Sequence, residues 1–442
     1  MQNTNQMVSK SFEEVKGLES EGVRVRTLNA TDEFKKLYLL VSQRFDTVES
    51  HLLNGQIYEK ETNELVADAP EAVFEGKSVE ELNEFLEPIQ EFDESGNVVG
   101  KYSEENEVYI EYAEDGTMVR LYNYNGVWYT ATTRCISGEY SYWEDRKRNF
   151  DVLFRETLVG FDYGLLDAGT TYNFMLKHTA NRLVVAHIKN ELVFVSKIKG
   201  GVESLDCPEC LAMFVKRSER VNTESVTLAM SEQYDEYDGK ERVASWYNVD
   251  MEVKVSENRK WNVSELDALL SESFMNTKKG IIFVRKCGSK YRRYLYETSE
   301  YRKIKELKGN TPNVMLSFVD LYTKGQVVDL NTFSMVFAER TLEFHGVSEK
   351  LEKLIVEIYY KYIDTHVRQR YRISETDPHH RTLRQLHAVH KQTRRPVHMD
   401  TVRDLIYNLD SKIILRLLGI PVVRKQSDFR PKRILRRGEL VK

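Results

Sequence analysis

The sequence predicts an α+β protein, with a domain of antiparallel sheets followed by a basic, helical C-terminal domain. Three observations point there. Between Val108 and Thr133, apolar and polar residues alternate in three runs separated by Asp115-Gly116 and Asn125-Gly126. Such pairs tolerate positive φ and signal hairpins. Alternation returns over Thr171–Ile198, again the period of half-buried strands. From Val327 the period becomes helical, and Thr365–Lys442 holds 19 Lys and Arg against 7 Asp and Glu. These shifts divide the chain into 1–55, a polar segment with one helix; 56–329, the sheet domain; and 330–442, the basic helical domain.

A chain of 442 residues, 41% hydrophobic and 30% charged, is long enough for two or three domains and a large core. No apolar run approaches the ~18 residues of a membrane span, and MQNTNQMVSKSFEEVK lacks a signal-peptide hydrophobic region. An intracellular place, without secretion or membrane contact, is the expectation. Four cysteines do not make a disulfide framework at this length. The net charge of −5 is unevenly spread, with 18 acidic against 2 basic residues in Glu61–Met118. A basic end that meets polyanions is one reading of this asymmetry; internal neutralisation or solvation is the other.

In order along the chain, Thr31–Leu52 spaces Phe34, Leu37, Leu40 and Phe45 as a helix, with Asp32 near its start. Gln56–Ala67 reads as strand, polar turn and strand. Asp68–Ser103 is acidic, with a short helix at Ser78–Phe85 and loop beyond it. The three runs from Val108 form a meander. Asp145–Leu158 is a helix with Phe150, Leu153, Phe154 and Leu158 on one side, and Thr171–Ile198 reads as three strands broken near His178–Asn181 and Lys189–Asn190. Cys207-Pro-Glu-Cys210 has the spacing of half a zinc site, but Cys135 and Cys287 have no partners spaced to complete it, which leaves a reduced surface turn. Ser231–Gly239 is an acidic, tyrosine-rich loop. A helix ends at Lys305–Asn310, with Gly309 in the capping place. Glu349–Tyr362, Arg381–Lys391 and Thr401–Leu418 are amphipathic helices. The histidines at 366, 379, 380, 387, 390 and 398 make no metal-binding pair with an acidic partner.

Ala113–Thr133, AEDGTMVRLYNYNGVWYTATT, is similar to the nucleophile motif of the ATP-dependent RNA-repair ligases of bacteriophages and their divergent relatives in large DNA viruses. That motif is Lys-x-Asp-Gly followed by a hairpin. Glu114, Asp115 and Gly116 match, while Ala113 stands at the lysine. Asn181-Arg182-Leu183-Val184 resembles the family's Asn-Arg-Ile-Val, which sets Met175 at a ribose-holding glutamate. Lys279-Gly280-Ile281-Ile282 resembles its Glu-Gly strand, with Lys279 at a metal- and ribose-binding glutamate. Two phosphate-binding lysines fall near Arg292 and Tyr294, or Leu295 with a shifted gap. Upstream, Asn54-Gly55 stands where the family has Arg-Gly. The blocks together cover Gln56–Asp320.

The resemblance implies a nucleotidyltransferase fold with a degenerate nucleotide pocket of Ala113, Asp115, Gly116, Met175, Lys279 and Arg292. Ligation of this type needs an unprotonated lysine to attack the α-phosphate of ATP, a divalent metal and carboxylates to hold metal and ribose. A methyl, a thioether and an ammonium supply none of these. The expectation is therefore a catalytically degenerate, viral RNA-ligase-like protein without catalytic residues, metal or cofactor. It binds RNA or DNA through Arg424, Lys425, Arg430, Lys432, Arg433, Arg436 and Arg437, or joins other virion proteins as a scaffold. The alternative is an active ATP-dependent RNA ligase that uses ATP and Mg²⁺ and joins RNA ends through a lysyl-AMP intermediate.

Overall fold

A computed structural model of the chain describes residues 22–43, 51, 53–76, 78–87, 90–92, 98–101, 108–143, 145, 147–211, 215–217, 266 and 278–422. By compactness the chain divides into two units, Met1–Tyr301 and Arg302–Lys442; helical periodicity in the sequence starts the last domain at 330.

The first unit is built on sheets that are antiparallel but for two short parallel strand pairs. Strand β1 (Val23–Thr27), helix α1 (Asp32–Lys35) and strands β2 (Leu37–Ser42), β3 (Ile57–Glu59) and β4 (Leu65–Ala67) come first, and the strands pair in that order. The helix expected over Thr31–Leu52 is corrected here. Within the described stretch 31–43 the helix is Asp32–Lys35 alone, capped by the Thr31 hydroxyl, and it gives way to β2, all six of whose residues are buried. A strand covered on both faces reads as a continuous apolar run, so the spacing of Phe34, Leu37 and Leu40 imitated one side of a helix.

Next come β5 (Phe74–Glu75), α2 (Val79–Leu86) and a hairpin of β6 (Gln90–Phe92) and β7 (Val98–Lys101), where loop was expected. Ser78 caps α2 by accepting from the Glu81 N–H. Strands β8 (Val108–Ala113), β9 (Thr117–Tyr124) and β10 (Val127–Thr132) follow as expected. They are not a meander, however: β9 and β10 form a hairpin, while β8 belongs to another sheet. Helix α3 (Phe150–Thr157) starts later than expected, because the Asn149 side chain takes the Val152 N–H and fixes the first turn there. Strand β11 (Thr170–Lys177) is followed directly by β12 (Glu191–Lys199), so the middle of the three strands expected over Thr171–Ile198 does not form. The rest of the unit comprises β13 (Val202–Ser204), α4 (Pro208–Leu211), β14 (Lys216–Arg217), β15 (Gly280–Cys287) and β16 (Lys290–Glu297).

The second sheet has the order β10-β9-β11-β12-β13, with β14 also on β12, and the third has β5-β16-β15-β8. Val119, Leu121, Phe174 and Phe194 of the second sheet pack against Phe150, Leu153 and Phe154 of α3. Ile110, Ile281 and Phe283 of the third pack against Val79 and Leu82 of α2. Each such side chain contributes about 1.5–3 kcal/mol on burial. Cys207 and Cys210 are free thiols buried in the α3 core, not a surface turn.

Helix α5 (Ser299–Lys308) contains the division between units. The second unit continues with α6 (Val314–Thr323), α7 (Val327–Val336), α8 (Thr341–Tyr362), a π-helical turn (Ile363–Val367), α9 (His380–Thr393), α10 (Met399–Tyr407) and α11 (Ser411–Leu417). Leu351, Leu354, Ile355 and Ile358 of α8, the residues whose spacing predicted that helix, are buried, as are Leu383, Leu386, Val402 and Ile406. The single helix expected over Thr401–Leu418 is two, because the Asp410 carboxylate accepts from the Lys412 N–H and starts α11 afresh.

Candidate functional site

The residues singled out in the sequence gather where β8 ends. Ala113, 1% exposed, lies opposite Gly280 of β15, and Gly280 lies opposite Glu297 of β16. The Lys279 N–H donates to the Ala113 carbonyl at 2.8 Å. Beyond Ala113 the chain leaves the third sheet and enters the second through Asp115 and Gly116. Asp115 is 1% exposed. One of its oxygens accepts from the backbone N–H groups of Val184 and Val185, at 2.9 and 2.8 Å, and the other from the Tyr301 hydroxyl at 2.7 Å. Three donors satisfy a carboxylate that would otherwise be costly to bury. Burial, and then Asp115 itself, push the Tyr301 phenol well above its usual range. The bond to Val184 and Val185 explains the missing middle strand: those amides serve Asp115 instead of a sheet neighbour. Asn181 braces the same segment by donating to Thr117 Oγ1 at 2.9 Å.

Gly116 is required by contact. A Cβ there would sit 2.6 Å from the Leu176 carbonyl oxygen and 3.0 Å from Met175 Cγ. Met175 therefore covers the turn as half-buried packing, in register with Met118 and Val193.

Three lysines meet the chain around Ala113 through Glu114 or the backbone, and each amine is paired. Glu114 binds the Lys177 ammonium at 2.7 Å and also that of Lys278; Lys177 reaches Glu191 at 3.3 Å as well. Lys279 lies 3.4 Å from Glu297, and its ammonium is 5.8 Å from the centre of the Tyr301 ring. A carboxylate pairs with the protonated amine, which has no lone pair with which to attack phosphorus. Arg120 is wholly buried, donates to the Thr132 carbonyl at 2.6 Å, and rests on Gly55, where a Cβ would meet Nη1 at 2.8 Å. Burial lowers its guanidinium to about 10.

Ala113, Asp115, Gly116, Met175 and Lys279 thus come together, and Arg292 does not. It lies opposite Arg285, five residues from Glu297 along β16, roughly 17 Å at the rise of a strand. Its Nε is 3.5 Å from Glu71. Sequence reasoning missed Glu114, Lys177, Lys278, Glu297, Tyr301 and Arg120. Only Glu114 carried a local signal, its place inside the matching motif. Arg424, Lys425, Arg430, Lys432, Arg433, Arg436 and Arg437 lie outside the described residues. Among the described residues, no three His, Cys, Asp or Glu side chains are grouped to hold a metal ion. A thioether at 175 and an ammonium at 279 offer no anionic oxygen to a divalent metal.

No protein-family model matches the chain, and no curated protein matches it. Among solved structures, the chain is similar to a provisionally assigned ATP-dependent DNA ligase from Aquifex aeolicus, at 12% identity and a TM-score of 0.37, over 80% of this chain and 81% of that one. It is also similar to an archaeal ATP-dependent RNA ligase in two forms, at 10% identity in each. The first covers 75% of this chain and 74% of that one at a TM-score of 0.35; the second covers 77% and 76% at 0.39.

Proposed function

We propose that this chain is a catalytically degenerate RNA-ligase-like protein that binds nucleic acid through its basic C-terminal region. The observation that carries the reading is the inert side chain of Ala113, buried where the resembling ligase motif has its lysine. Three stretches that resemble the ligases, at 113–116, 181–185 and 279–301, meet through Asp115, Val184, Val185 and Tyr301. What persists is turn, glycine and buried carboxylate, which hold strands in place. What is replaced is the reacting amine and both carboxylate positions. Losing one acid–base or electrostatic group typically costs about 10²–10⁴ in rate, and here the losses coincide.

Proximity does not restore the chemistry. Lys177, Lys278 and Lys279 bring positive charge near Ala113, but Glu114 and Glu297 hold it. These same three lysines favour the second reading, an active ATP-dependent RNA ligase, if one ion pair opens and the released ammonium gives its proton to solvent, which exposes a lone pair. A scaffold role within a virion is the companion reading and rests on the resemblance to viral relatives alone. The test is to mix the full-length protein with 5′-phosphorylated RNA, ATP and Mg²⁺. A salt-sensitive gel shift without joined product is expected; joined RNA would overturn the degenerate reading.

A further inference from the structure

The described part of the second unit carries a surface separate from the basic tail. No Asp or Glu occurs from 378 to 399, a stretch that includes all of α9. The buried side of α9 is Thr382, Leu383 and Leu386. At ~100° per residue, Arg381, Arg384 and Lys391 fall on the opposite side, and all three are exposed. Arg394 ends the helix in the left-handed region, at φ 56°, and Arg395, also exposed, follows it. The His390 ring meets the Arg395 carbonyl at 2.7 Å and fixes that exit.

These five cations differ from their neighbours in pairing. Arg368 and Arg370 share Asp364, and Arg403 binds Glu352 and Asp400. Among the described residues, none of the five on and after α9 has a carboxylate partner. A paired cation must release its carboxylate before it can neutralise a phosphate, whereas an unpaired one need not.

We infer that the acid-free face of α9, extended by Arg394 and Arg395, is a binding surface for the phosphate backbone of nucleic acid. This rests on the nucleic-acid-binding reading above and names the element that makes the contacts. Arg381 to Lys391 covers roughly 15 Å of helix, room for several consecutive phosphates. Four of the five cations are arginine, whose planar fork takes phosphate oxygens in pairs. A membrane surface is disfavoured, because Leu383 and Leu386 of α9 are buried and its one exposed apolar residue, Ala388, is too small to insert.

The test uses the full-length protein and labelled single-stranded RNA, with binding measured across a range of salt concentrations. The variants are Arg381→Gln/Arg384→Gln/Lys391→Gln, the charge-keeping Arg381→Lys/Arg384→Lys, and a chain lacking 426–442. Neutralising three contacts should weaken binding tenfold or more at low salt. It should also reduce the slope of log K against log salt by about 2, at ~0.7 per contact. The lysine variant should keep the slope. All three glutamine positions are exposed, and a circular-dichroism melt checks that the variant folds. An unchanged slope in the glutamine variant, with binding lost in the truncated chain, would overturn the role of α9 and leave the general reading standing. No salt-dependent binding by the wild-type chain would sink both. Tighter binding to anionic vesicles or an acidic protein than to RNA would also contradict the inference.

Discussion

The turns at Asp115-Gly116 and Asn125-Gly126 stand ten residues apart and carry the same local signal, yet they behave differently. At the second, Asn125 and Gly126 adopt φ of 53° and 80°, and nothing crowds Gly126. Strands β9 and β10 pair directly across it, with Tyr124 opposite Val127. At the first, neither residue has a positive φ, and the strands on either side join different sheets. Asp115 turns its carboxylate inward to Val184, Val185 and Tyr301. The difference teaches that an Asx-Gly pair marks where one strand ends and the next begins; whether the flanking runs pair depends on what the Asx side chain finds.

Substitutions at the two turns should separate them. Asp115→Ala leaves two buried N–H groups and a buried hydroxyl without their acceptor, each worth about 1–3 kcal/mol. A loss of roughly 3–9 kcal/mol in urea unfolding is expected, against about 1–2 kcal/mol for Asn125→Ala, which gives up left-handed tolerance and an exposed side-chain bond to Tyr124. Equal losses would break the comparison. Glu114→Gln removes the shared partner of Lys177 and Lys278, whose side chains are 13% and 16% exposed. About 2–3 kcal/mol is expected, below the range for fully buried pairs because some solvent reaches both amines. Gly116→Ala forces a Cβ onto the Leu176 carbonyl and should cost about 1–3 kcal/mol. Gly126→Ala meets no atom and pays only for its left-handed φ, about 1–2 kcal/mol, so a melt in which Gly126→Ala loses clearly more would contradict the contact.

The smallest effect is one of pH. Burial lowers His187, whose ring lies near Asp115, below its usual 6.5. The unfolded chain then takes up a proton before the folded one does. This contribution to stability is complete above about 6.5 and is lost as pH falls through the lower folded value. Protection of the Val184 and Val185 amides should fall between about pH 7.5 and 5.5, while the β9–β10 amides near Asn125 stay unchanged. Equal sensitivity at both turns would remove the assigned role of His187.

Local patterns made much of this fold readable. The β9–β10 hairpin follows from alternation and Asn125-Gly126, and α8 from Leu351, Leu354, Ile355 and Ile358. Strand β2 was not readable, because burial on both faces erases alternation. Nor was the partner of β8, since the register that sets Ala113 opposite Gly280 joins distant parts of the chain. The site divides in the same way. Ala113, Asp115, Gly116, Met175 and Lys279 were visible as positions in motifs. The Lys278–Glu114 and Tyr301–Asp115 contacts bridge 164 and 186 residues, and no local spacing encodes them. Arg120 is charged in mid-strand, which reads as solvent-facing; its burial depends on how distant segments such as Gly55 cover it.

The intact mass of the full-length protein, after incubation with ATP and Mg²⁺ or Mn²⁺, tests most directly whether the site around Ala113 is inert. With alanine at 113 and the neighbouring amines held by Glu114 and Glu297, the mass is expected to stay unchanged. A gain of one adenylate, mapped by peptide sequencing to Lys177, Lys278 or Lys279, would show a working nucleophile and contradict the degenerate reading.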